Sequence, residues 1–271
     1  MRIAIAGLLA LMLASISAPA RTAEPVRVLF VGNSLTYVND LPRLTRAIAE
    51  SQGGGPALDT SAWVQPGGSI EAHWRNGHAA DALRSGAWDV LVLQERRNLL
   101  ACMGGTTMPR EPDCRRSDSA HRKFAELAAE RGTRVLLLST WADDSSRQER
   151  LDQGIANLAG RMEGDVAIVP AGRILRRWAD LQPDDAPAFP DGGHPSFAAS
   201  LVIAATLYES VVGKAPVAAE MLIDFPLLVP RVPISSGEPL EAQHDLGVPA
   251  RPIRLVAGAV APYLEAASAL R

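Results

Sequence analysis

Four short stretches carry residue types that could do chemistry together. The first is "VLFVGNSLTYVNDLP", in which an apolar run passes into Gly32-Asn33-Ser34 and then into a helix start. The others are "QPGGSIEAHW" with Gly67-Gly68-Ser69, "VLVLQE" ending in Gln94-Glu95, and "DGGHPS" with Asp191 and His194. A serine hydroxyl is a weak nucleophile. It needs a base within hydrogen-bond reach, and that base needs a carboxylate to fix its tautomer and stabilise its cation. Asp191 and His194, three residues apart across two glycines, can fold so that one imidazole nitrogen meets the carboxylate and the other faces Ser34. Attack on an ester carbonyl makes an oxyanion, which calls for preorganised donors. The N–H groups of Ser34 and Gly68 and the side-chain amide of Gln94 are the candidates.

Each stretch also has a plainer reading, which the sequence leaves open. Gly-Asn-Ser after a strand can be only a turn. His194 or Ser196 can simply cap a helix. The Gly67-Gly68 segment can be an ordinary glycine loop, and a buried Gln94 can serve backbone groups. A phosphate-binding loop is excluded at Ser34, because no Gly-Lys-Ser/Thr follows.

Position favours the chemical reading. Apolar runs of strand length alternate with helical patterns, as in a parallel sheet with crossover helices. Strands are expected over 26–31, 58–64, 90–94, 135–139 and 166–169. "VRVLFV", "DVLVLQ" and "RVLLLS" are nearly continuous apolar runs, as when both faces of a sheet are covered. Helices are expected from Asp40 to the Gly53-Gly54-Gly55 run, over 78–84, 119–131 and 147–162, and near 263–270. A late helix is marked by Phe197, Leu201, Ala204, Tyr208 and Val211 at spacings of four, three, four and three, with Pro195 in its first turn and Gly213 closing it. In such a sheet ligands sit at the carboxyl ends of the strands, where all four stretches fall. After Gly213 the pattern weakens into an extended, proline-rich segment expected to drape over the same domain.

Residues 1–23 read as a signal peptide: Arg2, an apolar run from Ile3 to Ile16, then Ala18-Pro19-Ala20, with cleavage expected after Ala20 or Ala23. The apolar core is shorter than the ~20 residues of a membrane span, so an exported protein without an integral span after processing is expected, periplasmic or secreted. Cys102 and Cys114 are expected to pair, since exported proteins sit where disulfides persist. The net charge of -3 is spread without blocks, which suggests neither nucleic acid nor an anionic membrane as partner. No cofactor or metal is implied. His73 and His78 are five apart, not the three or four that share a helix face. His73, Asn33 and Glu95 are expected to line the substrate pocket, and His121 and His244 to lie at the surface.

Taken together, "GNSLT", the glycine loop, the polar amide after the third strand and "DGGHPS" resemble the SGNH/GDSL hydrolase superfamily over about residues 26–213. The resemblance implies a flavodoxin-like three-layer α/β/α sandwich with a mostly parallel five-stranded sheet. It implies a serine ester hydrolase with Ser34 as nucleophile and oxyanion donor, Gly68 as backbone donor, His194 as base and Asp191 as its partner. Asn33 stands where the family most often has Asp, and Leu93-Gln94-Glu95 stands where it usually has Gly-x-Asn-Asp. This form looks like a secreted bacterial branch associated with carbohydrate esters. The expected substrate is therefore a small acyl group, acetyl above all, on a carbohydrate or other polar alcohol. An aromatic content of 5% and the lack of an apolar lid speak against long-chain lipids. A lysophospholipase or thioesterase of the same fold, or a non-catalytic glycan-binding relative, are the alternatives.

Overall fold

The computed structural model describes residues 24–105, 111–183, 185–243, 246 and 251–270. The expected signal peptide and His244 lie outside the described residues. The elements in chain order are β1 (Val26–Gly32), α1 (Ser34–Tyr37), α2 (Leu41–Ser51), β2 (Leu58–Val64), α3 (Ile70–Asn76), α4 (His78–Ser85), β3 (Val90–Leu93) and α5 (Pro112–Glu130). They continue with β4 (Arg134–Leu138), α6 (Ser145–Ala159), β5 (Val166–Val169), α7 (Ala171–Ala179), α8 (Phe197–Val212), β6 (Met221–Ile223), β7 (Ile253–Leu255) and α9 (Ala257–Ala269).

β1 to β5 form one sheet in the order β2-β1-β3-β4-β5, every pair parallel. Successive side chains of a strand point to opposite faces, and here both faces are covered. Val28 and Phe30 of β1 face one core, with Leu44, Ile48, Ile174, Leu201 and Leu207. Leu29 and Val31 face the other, with Leu83, Phe124, Ile155 and Leu158. That is why these strands read as unbroken apolar runs. The α/β/α sandwich and its five-stranded sheet are as expected from the sequence, and the sheet is wholly parallel. Strand order reverses between β1 and β3, so their carboxyl ends flank the crevice where such sheets take ligands.

Several elements differ from expectation. α5 starts at Pro112, seven residues earlier than its apolar stripe indicates, because its first turn is polar and largely exposed. α3, α7 and the antiparallel β6–β7 pair were not anticipated. Pro195 lies just outside α8, whose cap is Ser196, the hydroxyl accepting the Ala199 N–H. Cys102 and Cys114 are joined as expected, tying the turn at Leu99–Met103 to the start of α5. Among the described residues, no helix is long and apolar enough to cross a membrane.

Candidate active site

The chain leaves β1 at Gly32, packed tightly against two side chains. A Cβ on Gly32 would lie 2.8 Å from Gln94 Oε1 and closer still to Thr36 Oγ1. Asn33 then caps α1, its Oδ1 accepting the Leu35 N–H at 3.1 Å. Ser34 follows as the first helical residue, half-buried, with an N–H that has no intrahelical acceptor.

Opposite it, Asp191 organises the loop before α8. One carboxylate oxygen accepts the N–H groups of Gly193 (3.0 Å) and His194 (2.7 Å), and Gly192 supplies the positive φ of 76° that lets the chain fold back. The other carboxylate oxygen lies 2.7 Å from His194 Nδ1. His194 Nε2 lies 2.9 Å from Ser34 Oγ. Partial burial disfavours the Asp191 anion, but the N–H and ring of His194 and the Gly193 N–H outweigh it and bring the carboxyl down to about 2. An ionised Asp191 fixes a proton on Nδ1 and leaves Nε2 as the acceptor facing the serine.

Side chains for which the sequence indicates no catalytic role hold this loop. Trp141 Nε1 donates to the Gly193 carbonyl at 2.8 Å, and its ring stacks on Phe189 at 5.7 Å. Arg97 donates to the Gly192 carbonyl at 2.6 Å and pairs with Asp143. Asn39 Nδ2 donates to the Pro195 carbonyl (3.1 Å) and to Ser200 Oγ (2.9 Å). Trp141 stands three residues past the end of β4. Its place at the carboxyl edge of the fourth strand is the signal in the sequence that marks it.

Other expected site residues are placed differently. The Gly68 N–H, expected to face an oxyanion, donates instead to the Gln65 carbonyl at 2.9 Å. Pro66 and Gly67, with φ of 64° at the glycine, make this a type II turn that uses that N–H internally. Asn33 is buried rather than facing substrate, and its Nδ2 donates to the Gly68 carbonyl at 3.0 Å. His73 is buried with Nε2 donating to the Gly32 carbonyl at 2.7 Å, and burial lowers its pKa, so it braces the turn as a neutral ring. Glu95, expected to line the pocket, is turned inward. It is buried, accepting from Ser117 Oγ at 2.6 Å and from the Arg96 N–H at 2.6 Å. His121 is likewise buried rather than at the surface, four residues along α5 from Ser117. Gln94 is buried, its carbonyl accepting from the Asn33 N–H (3.1 Å) and Thr36 Oγ1 (2.8 Å) and its amide donating to the Glu95 carbonyl. One Gln94 amide N–H is used by none of these bonds.

No protein-family model matches the chain. No curated protein matches it in sequence. Solved structures do match. An acetylxylan esterase from Geobacillus stearothermophilus superposes with a TM-score of 0.53 at 12% identity, over 71% of this chain and 96% of that one. An alpha/beta hydrolase enzyme from the metagenome of Lake Arreo, Spain, gives 0.54 at 16% identity, over 70% and 96%. A gut microbial diltiazem-metabolizing enzyme gives 0.52 at 16% identity, over 71% of this chain and 48% of that one. With its wholly parallel sheet in the order β2-β1-β3-β4-β5 covered by helices on both faces, this chain shares the α/β fold of these solved structures.

Proposed function

We propose that the protein is an exported serine esterase that removes a small acyl group, acetyl above all, from a carbohydrate or other polar alcohol. The observation that carries this reading is the line Asp191–His194–Ser34, with 2.7 Å and 2.9 Å links. The similarity in fold to an acetylxylan esterase supports the acyl group, and the paired cysteines are in keeping with export.

In the first half-reaction the Ser34 hydroxyl adds to the ester carbonyl carbon as His194 Nε2 takes its proton. The tetrahedral oxyanion is met by the Ser34 N–H, with the unused Gln94 amide N–H as second donor. The intermediate collapses with cleavage of the C–O bond, and the alkoxide takes the proton back from Nε2. A water then repeats the sequence on the acyl-serine, releasing acetic acid and restoring the hydroxyl. No cofactor is needed for either step.

The test is the mass of the mature protein after exposure to a fluorophosphonate. A single adduct, absent from Ser34→Ala, is the expected outcome, together with acetate release from acetylated sugars. Folded protein that takes no adduct would remove the nucleophile from the reading and leave a glycan-binding relative.

A further inference from the structure

Two adjoining hollows of about 410 and 370 Å³ run between α3 and α5, sharing Glu71, Arg75 and Arg116 as walls. The near end is the Gly67–Gly68 turn, which Asn33, the neighbour of Ser34, holds through the Gly68 carbonyl. The far end is closed by Trp74, Arg115 and Lys123. Neither hollow is lined by Ser34, Asp191 or His194, so the groove adjoins the candidate ester site through that turn alone.

Its charge is opposite to that of the molecule. Five cations, Arg75, Arg96, Arg115, Arg116 and Lys123, face two carboxylates, Glu71 and Asp113, in a protein of net charge -3. Glu71 is taken by Arg75 at 3.3 Å, and Asp113 is shared between Arg96, at 3.4 Å, and Arg116. Among the described residues, Arg115 and Lys123 meet no carboxylate at ion-pair distance, and Lys123 lies 5.6 Å from the centre of the Trp74 ring. The disulfide to Cys114 anchors the turn of α5 that carries Arg115 and Arg116.

We propose that this groove binds an acidic glycan, so that the ester removed at Ser34 is carried on a sugar chain whose other units bear carboxylate or sulfate groups. This rests on the esterase reading for the ester, but not for the binding. Guanidinium groups match such anions through paired hydrogen bonds. Five cations interrupted by two carboxylates suit spaced charges better than the continuous phosphates of a nucleic acid.

The experiment is calorimetric binding of a deacetylated oligouronate, a sulfated oligosaccharide and a neutral xylo-oligosaccharide of equal length, to the wild type and to Arg115→Gln/Lys123→Gln. Both altered side chains belong to exposed residues, and the unfolding midpoint checks that the fold is kept. One acidic ligand is expected to bind more tightly than the neutral one, to weaken with salt, and to lose about tenfold in affinity in the double variant. Whichever acidic ligand does so names the anion. Equal binding of the neutral chain or an unchanged double variant would overturn the proposal. Because no turnover is read, loss of fluorophosphonate labelling with acidic-glycan binding intact would sink only the esterase reading.

Discussion

Asp40 is buried and carries a left-handed backbone, φ 52°, beside Asn39 at φ 59°. It caps α2 by accepting the Arg43 N–H at 3.2 Å and pairs with the Arg43 guanidinium at 3.5 Å. Burial raises its pKa from 3.8 to about 6, Arg43 offsetting part of the effect. The folded chain therefore holds this proton more tightly than the unfolded chain, so the contribution of Asp40 to stability is greatest at low pH and falls as pH rises through about 4 to 6. Asn tolerates the left-handed region and keeps the cap. Asp40→Asn is expected to gain on the wild type across that window, on the order of 1–3 kcal/mol, and to hold the gain at neutral pH. His73 and His121, whose pKa values burial lowers, act in the opposite sense but are common to both proteins. Denaturant unfolding of the pair from pH 4 to 8 reads the difference. A difference that does not change with pH would mean that Asp40 is ionised throughout.

Between elements, the site depends on how α8 is fastened to the joint between α1 and α2. Asn39 makes that link to Pro195 and Ser200, one residue and six residues beyond His194. Asn39→Gly keeps the backbone conformation and removes only the amide. It is expected to lower kcat about tenfold on a small acetate ester with KM little changed, since a loosened base misses the serine more often than it misses the substrate. A kcat near wild type would make the amide a packing contact alone. The strands and α8 were legible because burial on both faces, or a full apolar stripe, imprints a period on the sequence. The Ser34, Asp191 and His194 constellation was legible because it rests on local turns, one at the end of β1 and one in the loop before α8. The burial of Glu95, His73 and Asn33 was not legible, because the Ser117 hydroxyl and the Gly32 and Gly68 carbonyls that hold them are brought close only by tertiary packing. A polar residue beside a strand end reads the same whether it faces a pocket or braces a loop. The Gly68 N–H is different: Pro66-Gly67 is itself a type II turn signal, and reading it would have assigned that donor to the Gln65 carbonyl.

At the scale of the whole molecule, the acetylxylan esterase is matched over 96% of its length by only 71% of this chain, so the shared fold is complete without the rest. Here, however, the segment after Gly213 is built into the core. Met221, Ile223, Phe225, Leu228, Leu240, Val260 and Leu264 are buried in the same cluster as Val28 and Phe30. The Leu228 carbonyl accepts the Asn39 N–H at 2.8 Å, and the Pro230 carbonyl accepts from Tyr37 Oη at 2.8 Å. Glu241 accepts the Ala62 N–H at 3.1 Å, so a carboxylate satisfies the outer edge of β2, where another strand could otherwise add. We infer that this segment is an integral cover rather than an appendage. Seven buried side chains at about 1.5–3 kcal/mol each are on the scale of the about 5–15 kcal/mol that holds a domain together. A chain ending at Gly213 is therefore expected to lose cooperative unfolding and to bind a hydrophobic dye, even though it keeps Ser34, Asp191 and His194. Thermal unfolding and fluorophosphonate labelling of the truncated chain check this together. A sharp transition near that of the full chain, with labelling retained, would show that the exposed faces of α2 and α8 need no cover.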